Sequence, residues 1–426
     1  MILCLLACTD PVPEPLDSAS EIPVVETEDT TPPVETQEST PWVDTTPPYQ
    51  PVVTTETIGD QEMSNDHVFD EDVLHEITIT IPHSSWAALL SSPYTYMPAR
   101  AEIDGEYFGD VGVRLRGKIG SFRVLTDKPK MRVDLNQYVQ GQRYYGLESV
   151  SLNNTVVDCS YMKEVVASEV FEHLDIPASR AAWTRVTVNE MDYGTYVLLE
   201  SVDDAFLRQK WADGSGNLYD GKYVWYGGYN YTLLDFGIGV DHLFQLEEGT
   251  DVNNSDIHAI STALNSGSFY PETDKVVDWE RLHRTWAATQ WLGQNDGYVL
   301  NRNNYRIYFD PADGKAEWIP WDFDYSFLHD YQWGRSWSNP TGTLAYACRY
   351  DSSCVADWRT AADDVLTELN TVDWETRTEE LAEVLEDTLA DDPKKACTDT
   401  QIEQWQAYVQ TWTAQRPTYM KQFWGI

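Results

Sequence analysis

The stretch GQNDGYVLNRNNYRIYFDPADGKAEWIPWDFDYSF, residues 293–327, decides how this chain is interpreted. It reads as a β-hairpin with the motifs NDGYVLNRNN and WDFD on either side. The acidic and amide side chains of these motifs alternate with Tyr, Trp and Ile residues, which favour burial. Buried carboxylates need partners, and a metal ion is one of the few partners that satisfies several of them together. The stretch therefore predicts a metal site beside a hairpin.

The order of these residues permits phosphoryl transfer. Asp296 starts the loop after a helical run, Asn301 follows five residues later, and Asp322 and Asp324 follow the hairpin. In such an order one carboxylate orients an attacking hydroxyl, while the Asn and a second carboxylate hold Mg²⁺. Protein kinases have the same order in their catalytic loop and metal-binding segment. A purely structural role is the alternative, since Asn and Asp are common in turns.

Hydrophobic periodicity predicts strands in the first half of the chain and helices in the second. HEITITIP reads as a strand, followed by a short helix with Ser84 as its candidate N-cap. Hairpins are predicted around Asp104-Gly105 and in residues 181–202, and Asn153 and Asn154 are candidate caps of the helix that follows them. The predicted fold class is α+β, with two lobes: a β-rich N-terminal lobe and a helical C-terminal lobe.

Composition narrows the function classes. The 426 residues include 70 Asp and Glu against 29 Lys and Arg, which gives a formal net charge of −41. Nucleic-acid binding requires clustered cations that displace counterions, so a general nucleic-acid binder is disfavoured. The 17 Trp, 25 Tyr and 12 Phe residues are enough for a substantial core. An exported protein with an acidic surface fits this composition.

The N-terminal segment predicts export and anchoring. Residues 1–8 end in a lipobox-like LLAC, in which Cys8 becomes a lipidated N-terminus, and they read as the remnant of a signal peptide. Residues 9–66 are rich in Pro, Thr and Glu and predict a disordered tether, because they cannot bury enough apolar surface to order themselves. Residues 67–426 form the predicted folded domain. The predicted location is therefore the cell envelope or surface, with membrane attachment through Cys8.

The remaining cysteines favour disulfides. Apart from Cys4 and Cys8, the chain has Cys159, Cys348, Cys354 and Cys397, an even number in a chain with an export layout. Cys348 and Cys354 are close enough in sequence to close a small loop, which leaves Cys159 with Cys397. Zinc is disfavoured, because the sequence has neither CxxC nor HExxH and its eight His residues are scattered.

Seven motifs in order resemble the spore coat protein H (CotH) kinase family. They are VRLRG, TDKPKMRVDL, GLESVSLNNTVVDCSYMKEVVASEV, VNEMDYGTYVLLESVDDAFL, GNLYDG, NDGYVLNRNNYRIY and WIPWDFDYSF. The resemblance covers roughly residues 67–330, and more loosely the helical C-terminus. It implies an atypical kinase fold and transfer of phosphate from Mg-ATP to Ser residues of exported or surface proteins. Position by position, Asp296 resembles the catalytic aspartate, and Asn301, Asp322 and Asp324 resemble metal ligands.

The resemblance also implies a nucleotide-binding set. Its members are Lys128, Lys130, Arg132, Glu164, Glu200 and Arg116. Lys128 resembles the lysine that neutralises the ATP phosphates, with Glu164 as its ion-pair partner. Lys130 and Arg132 are rival candidates, because strand alternation puts 128, 130 and 132 on one face. Glu200 lies where a kinase hinge meets the nucleotide, and Arg116 starts RGKIGS, a candidate phosphate loop.

One departure from the family pattern leaves two interpretations open. Where the family has Lys after GNLY, this chain has Asp220, and Lys222 is the nearest substitute. The first interpretation is an active exported kinase that uses ATP and Mg²⁺. The second is a catalytically silent surface module that binds a protein or a polysaccharide.

Overall fold

The computed structural model describes residues 53–54, 57–58, 61–62, 65–118, 120–221, 224–226, 229–231, 235–237, 240–329, 331–332 and 335–426. Predictions for Cys8, for most of the tether and for Lys222 lie outside these residues. The division of the chain at residues 8 and 66 stays a prediction.

Seven strands in the first half of the chain form a closed barrel. They are β1 (Leu74–Thr80), β2 (Met97–Ile103), β3 (Glu106–Arg116), β4 (Lys130–Asp134), β5 (Ser149–Asn153), β6 (Ala181–Val188) and β7 (Met191–Glu200). The order around the barrel is β1-β2-β3-β4-β5-β7-β6, and β6 closes it by pairing with β1 in parallel. The other pairs are antiparallel. Closure leaves the barrel without an exposed edge strand.

Local sequence explains the barrel strands. In β1, Ile77 and Ile79 are buried while their neighbours are exposed, which is the alternation expected of a strand with one face on a core. Asp104 and Gly105 both have positive φ, of 48° and 84°, between β2 and β3. Two central residues with positive φ suit a tight hairpin turn. The predicted hairpin is therefore confirmed.

A second, four-stranded antiparallel sheet carries the hairpin of residues 293–327. Its strands are β8 (Asn217–Gly221), β9 (Phe244–Glu248), β10 (Tyr305–Phe309) and β11 (Ala316–Pro320), in the order β9-β8-β10-β11. Short strands elsewhere are Val53–Thr54, Thr57–Ile58, Gln61–Glu62, Arg143–Tyr144, Val224–Tyr226, Tyr229–Tyr231, Tyr331–Gln332 and Arg335–Ser336.

The described residues include eleven α-helices, and eight of them lie in the second half of the chain. They are α1 (His83–Ser91), α2 (Lys163–His173), α3 (Asp204–Lys210), α4 (Ser255–Leu264), α5 (Phe269–Thr273), α6 (Trp279–Leu292), α7 (Tyr298–Asn301), α8 (Thr343–Cys348), α9 (Ser352–Leu369), α10 (Trp374–Ala390) and α11 (Asp399–Trp424). Single 3₁₀ turns are Asp66–Phe69, Asp241–Leu243 and Phe323–Tyr325. Within the described residues, no helix has the length and apolar character needed to cross a membrane.

The helices share a core that reaches the candidate site. Trp291 of α6, Phe171 of α2 and Trp374 of α10 are buried in one apolar cluster with Phe323, which lies between the two carboxylates of WDFD. The mixed α/β content agrees with the predicted class, while the two-lobed arrangement stays a prediction. One local detail is wrong: α1 starts at His83 after Pro82, so Ser84 lies inside the helix and is not its N-cap.

Both predicted disulfides are present. Cys348 pairs with Cys354, and Cys159 pairs with Cys397 across 238 residues of sequence. The second bond joins the segment before α2 to the segment before α11, so it ties two distant parts of the chain together.

Gly194 in β7 is a position where only glycine fits. Its φ is +81°, and a Cβ built there lies 1.8 Å from Oδ1 of Asp392, a buried side chain. We expect Gly194→Ala to lower the free energy of unfolding by at least ~2 kcal/mol, because the left-handed backbone and the displaced carboxylate both add cost. Gly105→Ala is the control, since Gly105 has φ +84° but nothing within 4 Å of its Cβ position. Equal losses in urea denaturation would show that the contact with Asp392 does not matter.

Candidate functional site

Helix α6 ends where the Asp296 loop begins. Its C-cap, Gly293, has φ +64°, and a Cβ there lies 2.5 Å from the Leu328 carbonyl. The Phe327 N–H donates to the Leu292 carbonyl over 2.7 Å. These contacts bring the end of α6 against the segment that follows Asp324, so the two halves of the predicted site are adjacent.

Asp296 is held by three amide groups. Asn301 Nδ2 donates to Oδ1 of Asp296, while Asn303 and Asn304 Nδ2 each donate to Oδ2 over 3.2 Å. Burial raises the pKa of Asp296 to about 6; the Asn301 bond opposes this shift, and the charge of Asp322 adds to it. The three amides therefore fix the orientation of the Asp296 carboxylate, and its pKa of about 6 lies close to neutral pH.

The hairpin β10–β11 places the acidic pair beside this loop. Tyr305 pairs with Pro320, and the Trp321 N–H then donates to the Asn304 carbonyl over 3.2 Å. Asp322 follows with φ +59°, a left-handed conformation that is uncommon outside glycine and often marks functional sites. Burial and the neighbouring Asp324 raise the pKa of Asp322. The WDFD motif is thus held in a backbone conformation of raised energy at Asp322.

Lys130 lies between the two carboxylates of WDFD. Its Nζ is 2.8 Å from Oδ2 of Asp324 and 3.4 Å from Oδ1 of Asp322, and its side chain is 8% exposed. Burial lowers the pKa of this lysine, but the two carboxylates outweigh burial and raise it overall. Lys130 is therefore a charged ammonium at the centre of the acidic group.

Glu164 of α2 completes this group. It is buried, accepts a hydrogen bond from Asn153 Nδ2 over 3.1 Å and another from the Phe323 backbone N–H. Burial and the charges of Asp322 and Asp324 raise its pKa to about 8. The acidic group therefore holds three carboxyl groups around one lysine, and its excess of negative charge favours a further cation.

Lys128 lies elsewhere, so the predicted pairing of Lys128 with Glu164 is wrong. Its Nζ is 2.8 Å from Oδ2 of Asp392 and 3.4 Å from the Tyr161 hydroxyl. β4 begins only at Lys130, so the alternation that put 128 on the face of 130 and 132 does not extend to Lys128. Asp392 also accepts from the Thr195 backbone N–H, which makes Lys128 part of a buried link between β7 and the end of α10.

The cations of β3 and β4 form a ladder. Arg114 is paired with Arg132, and Arg116 with Lys130, across the two strands. Like charges directly opposite each other in a sheet are destabilising, so such a ladder needs anions nearby. Burial and the neighbouring Arg132 and Arg114 lower the pKa of Arg116 to about 10, while the charge of Asp322 opposes this shift. Arg132 donates to Ser149 Oγ over 2.8 Å and lies 3.5 Å from Asp203.

Two other predicted positions have partners of their own. Glu200, at the end of β7, is buried and forms an ion pair with Arg180, which also contacts Asn65 and Asp66. Asp220 of β8 is 3.1 Å from Arg306 Nε, and Arg306 also donates to the Val202 carbonyl. No motif indicated the pairing of Arg306 with Asp220, because the two residues are 86 positions apart. Arg306 therefore neutralises the carboxylate of Asp220, which occupies the position where the family has a lysine.

Asn154 anchors the backbone at the end of RGKIGS (residues 116–121) and just after it. Its Nδ2 donates to the carbonyls of Ser121, over 3.1 Å, and of Lys128, over 2.7 Å. Gly117 and Gly120 have φ of +89° and +79°. Asn153 and Asn154 therefore support the site instead of capping α2, whose N-cap is Met162. The role of this segment as a phosphate loop stays a prediction.

A mixed α/β chain with an Asp–Asn loop, an acidic pair and a buried lysine has the residues of a kinase-type phosphotransferase. The family model described as CotH kinase protein matches residues 113–420, and the chain belongs to this family. Membership indicates a kinase-type function, in line with the resemblance of the motifs.

Individual relatives are more distant. Inner spore coat protein H of Bacillus subtilis (strain 168) is 25% identical over 210 residues, which cover 46% of this chain and 53% of that protein. The chain thus matches about half the length of this curated relative. A chain of the Shewanella oneidensis MR-1 HipA–HipB toxin–antitoxin complex with operator DNA matches with a TM-score of 0.31 and 10% identity, over 65% of this chain and 60% of that one. The Helicobacter pylori proinflammatory kinase CtkA matches with a TM-score of 0.29 and 10% identity, over 68% and 90%.

Proposed function

We propose that this protein is a Mg-ATP-dependent kinase that phosphorylates Ser residues of exported or surface proteins. The observation that carries the proposal is the convergence of two groups. One is Asp296 with its three Asn amides, and the other is Asp322 and Asp324 around Lys130. Phosphoryl transfer needs little from a protein beyond positioning and charge stabilisation, and these groups supply both.

The residues present fit a hard divalent cation. Carboxylate and amide oxygens are the ligands that Mg²⁺ prefers, and Asp322 and Asp324 already share one positive charge, the ammonium of Lys130. Burial is the main cause of the raised pKa values of Glu164 and Asp322, and neighbouring carboxylates add to it, so a further cation would favour the ionised forms of both groups. In the proposal Asp322 and Asp324 hold the metal, with Asn301 as a further ligand. Mg-ATP, when bound, supplies the phosphoryl group and the metal charge that stabilises its transfer.

The cation ladder fits the phosphates of a nucleotide. ATP carries about four negative charges, and a chain with a net charge of −41 repels anions over most of its surface. Arg114, Arg116, Lys130 and Arg132 concentrate four positive charges on two adjacent strands. We assign the phosphate contact to Lys130, because it joins this ladder to the proposed metal ligands.

Asp296 fits the role of proton acceptor. A general base works best when its pKa lies near the working pH, and burial raises the pKa of Asp296 to about 6. The Asn301, Asn303 and Asn304 amides hold its carboxylate in one orientation. In the proposed reaction the carboxylate orients a Ser hydroxyl and accepts its proton as the phosphate is transferred.

The location and partners belong to the same proposal. A relative named as an inner spore coat protein supports a surface or coat location, and the two disulfides suit an oxidising compartment. Membrane attachment through Cys8 and a Ser-containing protein substrate follow from the sequence predictions. No nucleic acid is expected as a partner.

The test is a calorimetric titration of the full chain with a non-hydrolysable ATP analogue, carried out with and without Mg²⁺. We expect saturable binding that is at least ~10-fold tighter with Mg²⁺, about 1.4 kcal/mol, because the metal offsets the repulsion between phosphates and carboxylates. Excess EDTA is the control. Absence of binding at millimolar analogue would exclude the kinase and favour the silent binding module.

The lysine assignment has its own test. We expect Lys130→Met to weaken binding of the Mg-bound analogue at least ~10-fold, because it removes the charge between the phosphates and the metal ligands. Lys128→Met is the matched control: it leaves Asp392 buried without its partner, so it costs ~3–5 kcal/mol of stability but leaves the affinity of the folded protein unchanged. Calorimetry and urea denaturation measure the two effects. Small, equal losses of affinity in both variants would mean that Lys130 is not the phosphate contact.

A further inference from the structure

A histidine lies against one of the disulfides. His283 of α6 is buried, and its Nε2 is 3.5 Å from Cys354 Sγ and 3.9 Å from Cys348 Sγ. The three possible ligand atoms lie within 4.8 Å of one another. Neither the proposed phosphoryl transfer nor the nucleotide site uses this group.

The geometry suits a soft-ligand metal site once the disulfide is reduced. Zinc binds thiolate sulfur at about 2.3 Å and imidazole nitrogen at about 2.0 Å, so tetrahedral ligands lie roughly 3.3–3.8 Å apart. The distances from Nε2 to the two sulfurs already fall in or near this range. Two thiolates and one imidazole leave a fourth position for water, as in zinc sites with three protein ligands.

The surroundings also fit such a site. The rings of Trp279 and Trp286 lie 5.1 and 5.6 Å from the His283 ring, and they provide an apolar shell. An open cavity of ≈ 580 Å³ is lined by Ala347, Tyr350 and Asp351, which belong to or adjoin the loop between the two cysteines. The two sulfurs are buried and do not line this cavity, which opens beside the loop that joins the two cysteines. A metal site needs suitable ligands at suitable spacing, and His283, Cys348 and Cys354 supply three of them.

We propose that His283, Cys348 and Cys354 form a redox-gated Zn²⁺ site. The disulfide takes two electrons and two protons from a dithiol, which is itself oxidised to a disulfide. The two new thiols release two protons as they bind Zn²⁺, and His283 contributes a neutral nitrogen. The oxidised chain holds no metal at this position, and the reduced chain holds one ion.

This site was not visible in the sequence for a physical reason. Cys348 and Cys354 are six positions apart at the junction of α8 and α9, whereas His283 on α6 lies 65 and 71 positions before them. Zinc motifs are recognised by short spacings between ligands, and this group comes together only through packing of α6 against α9. The absence of CxxC and HExxH motifs therefore does not bear on this group of residues.

The experiment uses the full chain with Cys4, Cys8, Cys159 and Cys397 each replaced by Ser, so that Cys348 and Cys354 are the only cysteines left. The protein is reduced with dithiothreitol, desalted without oxygen and titrated with Co²⁺, whose thiolate complexes absorb in the near ultraviolet. We expect one Co²⁺ per reduced chain, its displacement by Zn²⁺, and no binding to the oxidised chain. Adding His283→Gln should weaken Co²⁺ binding at least ~10-fold.

Two further measurements distinguish a lack of metal binding from a loss of structure on reduction. Circular dichroism follows folding, and alkylation with iodoacetamide, read by mass spectrometry, reports whether Zn²⁺ protects both cysteines. Protection that disappears in the His283→Gln variant supports the site. Reduced protein that binds no more Co²⁺ than a chain with Cys348→Ser and Cys354→Ser, or equal alkylation with and without Zn²⁺, overturns it.

Discussion

Asp296→Asn is expected to reduce phosphate transfer to Ser by ~10²–10⁴-fold while leaving nucleotide affinity unchanged. General base catalysis contributes rate factors of this size, and an amide of the same shape cannot accept the hydroxyl proton. Because burial raises the pKa of Asp296 to about 6, transfer by the parent should fall as the pH is lowered through about 6, where the carboxyl group takes up a proton. Single-turnover assays with Mg-ATP and a Ser-containing substrate measure the rate, and calorimetry measures the affinity.

The control for this variant is Asp313→Asn. Asp313 lies in the exposed turn of the β10–β11 hairpin, where its Oδ1 accepts from the Lys315 backbone N–H. The same chemical change there should leave both rate and affinity unaltered. If Asp296→Asn turned over at the parent's rate, the carboxylate would not be the proton acceptor. If it lost nucleotide binding instead, Asp296 would belong to the nucleotide site.

Local sequence was enough for the elements of the fold. Strands β1 to β4, β6 and β7 and the helices α2 and α6 occur where the sequence predicts them, and α9, α10 and α11 make up the predicted helical C-terminus. Strand β5 was not predicted. The turn at Asp104-Gly105 shows why: two residues that tolerate positive φ between alternating apolar runs leave few other choices. What the sequence did not reveal is closure of the barrel by β1 and β6, because that parallel pair joins segments about a hundred residues apart.

The candidate site was predictable in part, and the errors have one origin. Asp296 and Asn301 make contact because both come from one loop, and Asp322 and Asp324 lie together because both directly follow one hairpin. Lys130 reaches the two carboxylates from β4 of the barrel, 192 and 194 residues away, and its place between them was not predicted. Lys128 was misplaced because its partner, Asp392, is 264 residues away.

The partners of two residues around the site, Asn153 and Asp220, were missed for the same reason. Asn153 looked like a helix cap but bonds to Glu164, and Asp220 looked like a lost phosphate contact but is neutralised by Arg306. Polar residues near a turn have many possible local partners, so spacing alone does not identify a partner that tertiary packing supplies.

Asp322→Asn is expected to abolish the metal dependence of nucleotide binding. In the proposal the parent binds the ATP analogue at least ~10-fold tighter with Mg²⁺ at saturation, about 1.4 kcal/mol, and the variant shows a ratio near one. The amide keeps the shape of the side chain but removes the charge that holds the metal. Without Mg²⁺ the variant should bind the analogue at least as well as the parent, because one carboxylate fewer repels the phosphates.

The fold should survive this change, since Asp324 still pairs with Lys130 over 2.8 Å and Asp322 is the more distant and more exposed of the two carboxylates. Asp220→Asn is the matched control: it makes the same change beside Arg306, on a different strand, and should preserve the Mg²⁺ dependence. Calorimetric titrations of the three proteins in Mg²⁺ and in EDTA give the ratios. A ratio in Asp322→Asn equal to that of the parent would remove Asp322 from the metal site. A collapse in Asp220→Asn as well would mean that the total charge of the cleft, and no single ligand, sets the metal dependence.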